Sequence, residues 1–250
     1  MSGHSKWATI KHKKGAADKA RGKLFAKLIR QVEVAAREGG GELDSNATLR
    51  TMYQKARDNS VPLDTIERAI KRGTGELEGV TYEPVTYEGY APNGVAVFVE
   101  ALTDNRNRTG AEIRSLFSKS GGSLAEPGAV AWQFDRKGVV LIPGSVDEDD
   151  IMMAALEAGA EDVALEGEQW NVTTEPTETM AVRDAIVESG IEVSSADLTM
   201  LPQNTIELGA AGEARQVLKV IDALDDHDDV QGVYANFDVP DSVMAELQDD

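Results

Sequence analysis

Near residue 79 the spacing of apolar residues changes. Before that point they recur every three to four positions, and after it they alternate or run in short blocks of strand length. Helical stripes and strand faces bury apolar surface in different ways, so one uniform layer architecture cannot serve both parts of the chain. From Ala16 to Arg37 the residues Leu24, Phe25, Leu28, Ile29 and Val32 are predicted to face inward on one helix, which Gly39-Gly40-Gly41 ends. A second helix is predicted from the N-cap Asn46, with Leu49, Met52, Tyr53 and Ala56 inward; a third starts at Pro62 and stops at Gly73.

Beyond Gly79, Val85-Thr86-Tyr87 and Val95 to Val99 flank the turn signal Pro92-Asn93-Gly94, which predicts a hairpin. A helix follows, with Thr109 as the expected N-cap and Glu112 completing a capping box, and then a strand over Val130 to Phe134. Residues 139 to 201 read strand, helix, strand, strand, helix, strand, the order of a ferredoxin-like unit. The strand at Asn204 to Leu208, the helix at Glu213 to Leu224 and the strand at Val230 to Phe237 are too few to bury a core alone, so they are expected to complete the sheet begun at residue 80. Asp241 to Asp250 reads as a short helix and an acidic tail.

The expected fold is therefore α+β, an N-terminal helical domain followed by two α/β domains. Residues 1–79 form the basic helical domain. Residues 80–136 with 203–240 form a discontinuous α/β domain, and the acidic ferredoxin-like domain, 137–202, is inserted into it.

Charge divides the chain at nearly the same place. The formal net charge is -19, which by itself argues against a polyanionic partner. Yet residues 1–78 carry 16 lysines and arginines against 10 acids, while residues 79–250 carry 9 against 34. In the first 37 residues the ratio is 10 to 2. One end of the molecule attracts phosphate and the other repels it.

The opening Gly3-His4-Ser5-Lys6-Trp7-Ala8-Thr9-Ile10-Lys11-His12-Lys13-Lys14 concentrates this charge. Lysine ammonium groups contact phosphate, and an indole stacks on an exposed base, so His4, Lys6, Trp7, Lys11, His12, Lys13 and Lys14 are candidate nucleic-acid contacts. The alternative is a solvated tail, with Trp7 packed on the helical domain. On the helix that follows, Lys19, Lys23, Lys27, Arg30 and Arg37 share the face opposite the apolar stripe. Arg50, Arg57, Arg68, Lys71 and Arg72 extend the positive field, although the last three also suit a helix C-terminus. In the loop Thr103 to Thr109, Arg106 and Arg108 stand beside a helix N-terminus, where free amides and guanidinium groups both favour anions. Asp104 offers a competing reading, in which it pairs with either arginine and ties the loop down.

Enzymatic readings are weak. The chain has no cysteine, which excludes thiolate chemistry and disulfides. His4, His12 and His227 are not at metal-ligand spacing, and Leu208-Gly209-Ala210-Ala211-Gly212 lacks the Lys-Ser/Thr of a P-loop. The acidic runs at Asp147 to Asp150 and Asp225 to Asp229 read as solvated helix ends rather than cation sites. No cofactor and no small-molecule substrate are indicated. No apolar run approaches the roughly 20 residues of a membrane span, and the N-terminus lacks a secretory core, so a cytoplasmic protein with no membrane partner is expected.

The opening motif, Tyr87-Glu88-Gly89-Tyr90 with Gly94-Val95-Ala96, the Thr103 to Thr109 loop and Phe117-Ser118-Lys119-Ser120-Gly121-Gly122 together resemble the YebC family of bacterial proteins. The resemblance covers essentially the whole chain and is looser after Pro143. It implies a three-domain, cofactor-free fold. Members are labelled transcriptional regulators that bind DNA, mitochondrial relatives activate translation, and some bacterial members look like ribosome-associated factors that assist synthesis through proline-rich stretches. The expected partner is thus nucleic acid, either DNA or ribosomal RNA with the ribosome. A protein-interaction adaptor using the acidic face is a further alternative.

Changing Lys11, Lys13 and Lys14 together to Glu is expected to abolish retention of nucleic acid in a filter-binding assay. The melting temperature should move by no more than about a degree or two, because exposed charges contribute little to stability.

Overall fold

The computed structural model describes residues 18–248 and begins with three helices: α1 over Asp18–Gly39, α2 over Ala47–Asp58 and α3 over Leu63–Gly73. Leu28, Val32, Ala35 and Ala36 of α1 pack against Leu49, Met52 and Ala56 of α2 and Ile66 and Ala69 of α3, all buried. Leu24, expected inward, is instead 39% exposed. The reason is length: the 22 residues of α1 span about 33 Å, nearly twice the reach of α2 or α3, so its early turns outrun their cover. Asn46 joins two helix ends. Its Oδ1 accepts from the Leu49 amide at 3.0 Å to start α2, and its Nδ2 donates to the carbonyls of Ala35 and Gly40 at 2.9 and 2.8 Å to finish α1. Asp or Ser would cap α2 equally well but lacks the amide that closes α1. A Cβ on Gly73 would stand 2.3 Å from the Glu33 carbonyl, so only glycine lets α3 press its end against the α1 backbone.

The rest of the chain runs β1 (Glu83–Tyr90), β2 (Ala96–Thr103), α4 (Arg106–Ser120), β3 (Ser123–Leu124), β4 (Phe134–Pro143), α5 (Glu148–Glu157), β5 (Asp162–Glu166), β6 (Gln169–Thr174), α6 (Thr179–Glu188), β7 (Ser195–Pro202), β8 (Ile206–Glu207), α7 (Ala211–Asp225), β9 (Val230–Ala235), β10 (Phe237–Asp238) and α8 (Asp241–Gln248). These elements form two compact units. One combines Val80–Asp135 with the chain from Leu201 onward; the other combines the helical segment up to Gly79 with Arg136–Met200.

In the first unit β1 and β2 make the expected antiparallel hairpin, in a sheet ordered β3-β1-β2-β9. Val95, Val97 and Val99 point to one face, where Ile113 and Phe117 of α4 and Val217, Val220, Ile221 and Leu224 of α7 cover them. On the other face Phe98 packs on Phe134 and Tyr234, with ring centroids 6.0 and 6.5 Å apart. A Cβ on Gly89 would meet the Ser123 carbonyl at 2.6 Å and the Phe117 ring at 2.7 Å, so this position holds β3 and α4 close to β1.

In the second unit the sheet order is β5-β6-β4-β7, with α5 and α6 as crossovers, which is the ferredoxin-like arrangement. Its core is Val140, Ile142, Ile151, Ala155, Trp170, Val172, Val182 and Ile186. Ion pairs from Lys55 to Asp197 and from Arg183 to Asp58 link it to the helical segment.

Two local expectations are corrected. The strand expected over Val130 to Phe134 is a 3-10 turn at Ala131–Gln133, and strand structure begins only at Phe134. The cause is Glu88, which is 6% exposed and accepts from the amides of Gly128 and Val130 at 2.6 Å each and of Ala131 at 2.8 Å. Amides committed to a carboxylate cannot join a ladder. The expected N-cap Thr109 is likewise displaced: Asn105 caps α4, its side chain accepting from the Arg108 amide at 3.1 Å, while Thr109 is buried.

Burial pushes the Glu88 carboxyl up, but the three amides outweigh it and hold it below the ordinary glutamate value. A depressed folded-state value contributes stability that is fully present above the unfolded value near 4.5 and is lost as pH falls through the folded one. Glu88→Gln should therefore lower stability at pH 7 by about 2 kcal/mol in urea denaturation, and its deficit relative to wild type should shrink below about pH 4. A constant deficit across that range would contradict this account.

Candidate nucleic-acid interface

The cations on α1 follow from helical spacing. Lys23, Lys27 and Arg30 fall at i, i+4 and i+7 on one face, and all three are half-buried. Further along, Val32 through Ala36 are buried without interruption, so α1 is enclosed on every side there. Between Arg21 and Arg30, by contrast, only Leu28 is buried. Arg21 itself is exposed and lies 5.5 Å from the centre of the Phe25 ring. Lys19 belongs to α1, whereas His4, Lys6, Trp7, Lys11, His12, Lys13 and Lys14 lie outside the described residues.

Several neighbouring cations have structural work. Glu33, 2% exposed, accepts from Arg37 at 3.2 Å and from Arg72 at 2.8 Å, which bridges α1 to α3. Arg50 donates to the carbonyls of Leu43 and Asp44 at 3.1 and 2.8 Å and braces the link between α1 and α2. Arg57, Arg68 and Lys71 are exposed, and Arg68 reaches Asp64 only at 3.8 Å.

The loop arginines belong to the other unit and differ from each other. Arg108 donates to Asp104 at 2.9 Å and to Asp229 at 2.7 Å. Asp229 is 4% exposed and also accepts from the Thr109 hydroxyl at 2.7 Å, and Thr109 in turn lies 2.7 Å from the Thr103 hydroxyl. Hydrogen bonding to Asp229 is the main influence that raises Arg108 above its ordinary value. Arg108 therefore locks the first turn of α4 to the start of β9. Arg106 is 63% exposed and meets the half-exposed Glu83 only at 3.8 Å. Beneath it the Tyr87 hydroxyl is buried without a hydrogen-bond partner, and burial first, then Asp229 and Glu83, raise its pKa against the lowering effect of Arg106.

Three exposed residues were not among the expected contacts. Over residues 80–135 and 201–250 there are six lysines and arginines, and four of them, Arg106, Arg108, Arg114 and Lys119, lie on α4. That concentration was countable from sequence, and Arg114 and Lys119 are exposed. Trp132 is 66% exposed, which strand-like spacing around it concealed. Among the described residues no helix is long and apolar enough to cross a membrane, and no group of three His, Cys, Asp or Glu side chains could hold a metal ion.

Comparison with known proteins gives two family matches. The model described as the TACO1/YebC protein N-terminal domain matches residues 5–76, and that described as the TACO1/YebC second and third domain matches residues 82–237. A protein of Rubrobacter xylanophilus named "probable transcriptional regulatory protein" is 60% identical over 249 residues, 99% of each chain. A protein of Halothermothrix orenii with the same name is 54% identical over 253 residues, the full length of both. The crystal structure of a conserved hypothetical protein from Aquifex aeolicus superimposes with a TM-score of 0.80 at 45% identity, covering 88% of this chain and 91% of that one.

Asp229→Ala removes the buried carboxylate that accepts from both Arg108 and the Thr109 hydroxyl, leaving Thr109 only the longer bond to the Asn105 carbonyl and its contact with Thr103. It should destabilise the protein by about 2 kcal/mol, read as a lower urea midpoint with an unchanged slope. Retention of the wild-type midpoint would show that this buried network adds nothing.

Proposed function

Because the chain belongs to the TACO1/YebC family, we propose that it is a non-enzymatic, cytoplasmic regulator of gene expression that holds nucleic acid through its basic N-terminal end. The observation that carries the reading is charge segregation: a chain of net charge -19 keeps 10 of its 25 lysines and arginines within the first 37 residues. Phosphate contacts supply affinity without sequence information, and the remaining acidic surface limits indiscriminate adsorption to polyanions. His4, Lys6, Lys11, His12, Lys13 and Lys14 make the first contacts, with Trp7 stacking on an exposed base; Lys19, Lys23, Lys27 and Arg30 on α1 add further phosphate contacts. Arg106, exposed and loosely paired, serves as an additional phosphate contact, with Arg114 and Lys119 on the same helix. Arg108 contributes chiefly by fixing that helix. The names of the relatives support a regulator of transcription, and duplex DNA is the partner proposed for it.

A second reading takes ribosomal RNA as the polyanion. It is favoured by Trp7 among four lysines, a combination suited to an unpaired base. Gel shift on duplex DNA set beside co-sedimentation with ribosomes separates the two, using the full chain and a version lacking residues 1–15. If about six cations meet duplex phosphate, log affinity should fall against log salt with a slope near -5. A flat slope, or equal binding by the truncated chain, would overturn the assignment of this end as the polyanion site.

A further inference from the structure

We propose that Trp132 is a stacking platform for an unpaired nucleobase, a site separate from the lysine-rich N-terminus. The inference rests on the nucleic-acid reading above and adds a contact which that reading does not require. A tryptophan at 66% exposure is an uncommon use of so large an apolar surface. Here the surrounding chain is fixed. Val130 and Phe134, on either side, are 0% and 5% exposed, and Glu88 grips the amides of Gly128, Val130 and Ala131. Gln133 is held by the Gln203 amide on its carbonyl at 2.8 Å and by Asn236 Nδ2 on its side chain at 3.1 Å. Trp132 is thus the outward-facing member of a rigid turn, and little conformational entropy remains to be lost when something lands on it.

The chemistry of the indole narrows the ligand. Its Nε1 donates inward to the Ala129 carbonyl at 3.1 Å, so the ring offers a π face and no free donor. A peptide backbone gains most from an aromatic that also donates to its carbonyls. A nucleobase needs only the face, and every base has one, so such a contact tolerates any sequence while rejecting paired bases. Around the turn in sequence the exposed carboxylates Glu126 and Asp135 outnumber the exposed cation Arg136, so this point is not a concentrated phosphate site. Stacking here therefore selects single strands, and charge elsewhere provides the salt dependence.

The test is fluorescence anisotropy of the full chain with a labelled 12-nucleotide oligoadenylate and a duplex DNA of equal length, each over a salt series. Trp132→Ala should weaken oligoadenylate binding about tenfold or more, the range expected for one lost stack. Trp132→Phe should stay within about threefold of wild type, since it also loses the Ala129 bond but keeps a ring. The salt slope should be the same for all three proteins, and duplex affinity should not change. Equal oligoadenylate binding by wild type and Trp132→Ala overturns the proposal, as does an equal loss on duplex. So does Trp132-dependent binding of a decaproline peptide with oligoadenylate unaffected. Should the wild type bind neither nucleic acid, the reading of the N-terminus falls as well, which separates the two failures.

Discussion

The first unit is held closed by pairing between segments of chain more than a hundred residues apart. Strand β2 has β1 as a neighbour by hairpin, but its other edge waits for β9, where Val97 meets Ala235 and Val99 meets Val233. Buried polar groups fix that register at both ends. Asp229 ties the entrance of β9 to α4, and Asn236 at its exit accepts from the Ala96 amide at 2.7 Å and donates its own amide to the Ala96 carbonyl at 3.1 Å. Unsatisfied, each of these groups would cost more than any bond made elsewhere returns, so one register is strongly preferred.

That closure explains why an insertion is tolerated. In the ferredoxin-like order β5-β6-β4-β7 the first and last strands of the insert are neighbours, so chain leaves and returns at adjacent points. The Gln203 amide reaches the Gln133 carbonyl at 2.8 Å, which brings the two crossing points together in the host unit too. An inserted segment with neighbouring ends imposes little loop-closure penalty on its host.

Legibility followed the range of the interactions. The three helices, the hairpin and the ferredoxin-like order are set by apolar period and turn residues, and they are found where those signals place them. Errors arose where a distant side chain intervened. Glu88 drew in three amides some 40 residues away and cancelled a strand, and Asp229 pulled Thr109 inward from more than a hundred residues away, leaving the cap to Asn105. No local pattern encodes such contacts. At the candidate interface the cationic spacing on α1 was readable, but the enclosure of Val32 to Ala36 and the commitment of Arg37 and Arg72 to Glu33 were not, because they depend on how α3 packs. The exposure of Trp132 was hidden for the same reason as the 3-10 turn that carries it.

The late position of β9 bears on how the molecule is made. A chain emerging in order can complete helices α1 to α3 and then the whole ferredoxin-like segment while β2 still lacks its second neighbour, because Val230–Ala235 follows all of them in sequence. Until β9 has been made, a strand with seven of eight residues buried in the finished protein presents an open edge. The acid-rich insert precedes β9 in the chain, and like charge of this kind opposes edge-to-edge association of one copy with another.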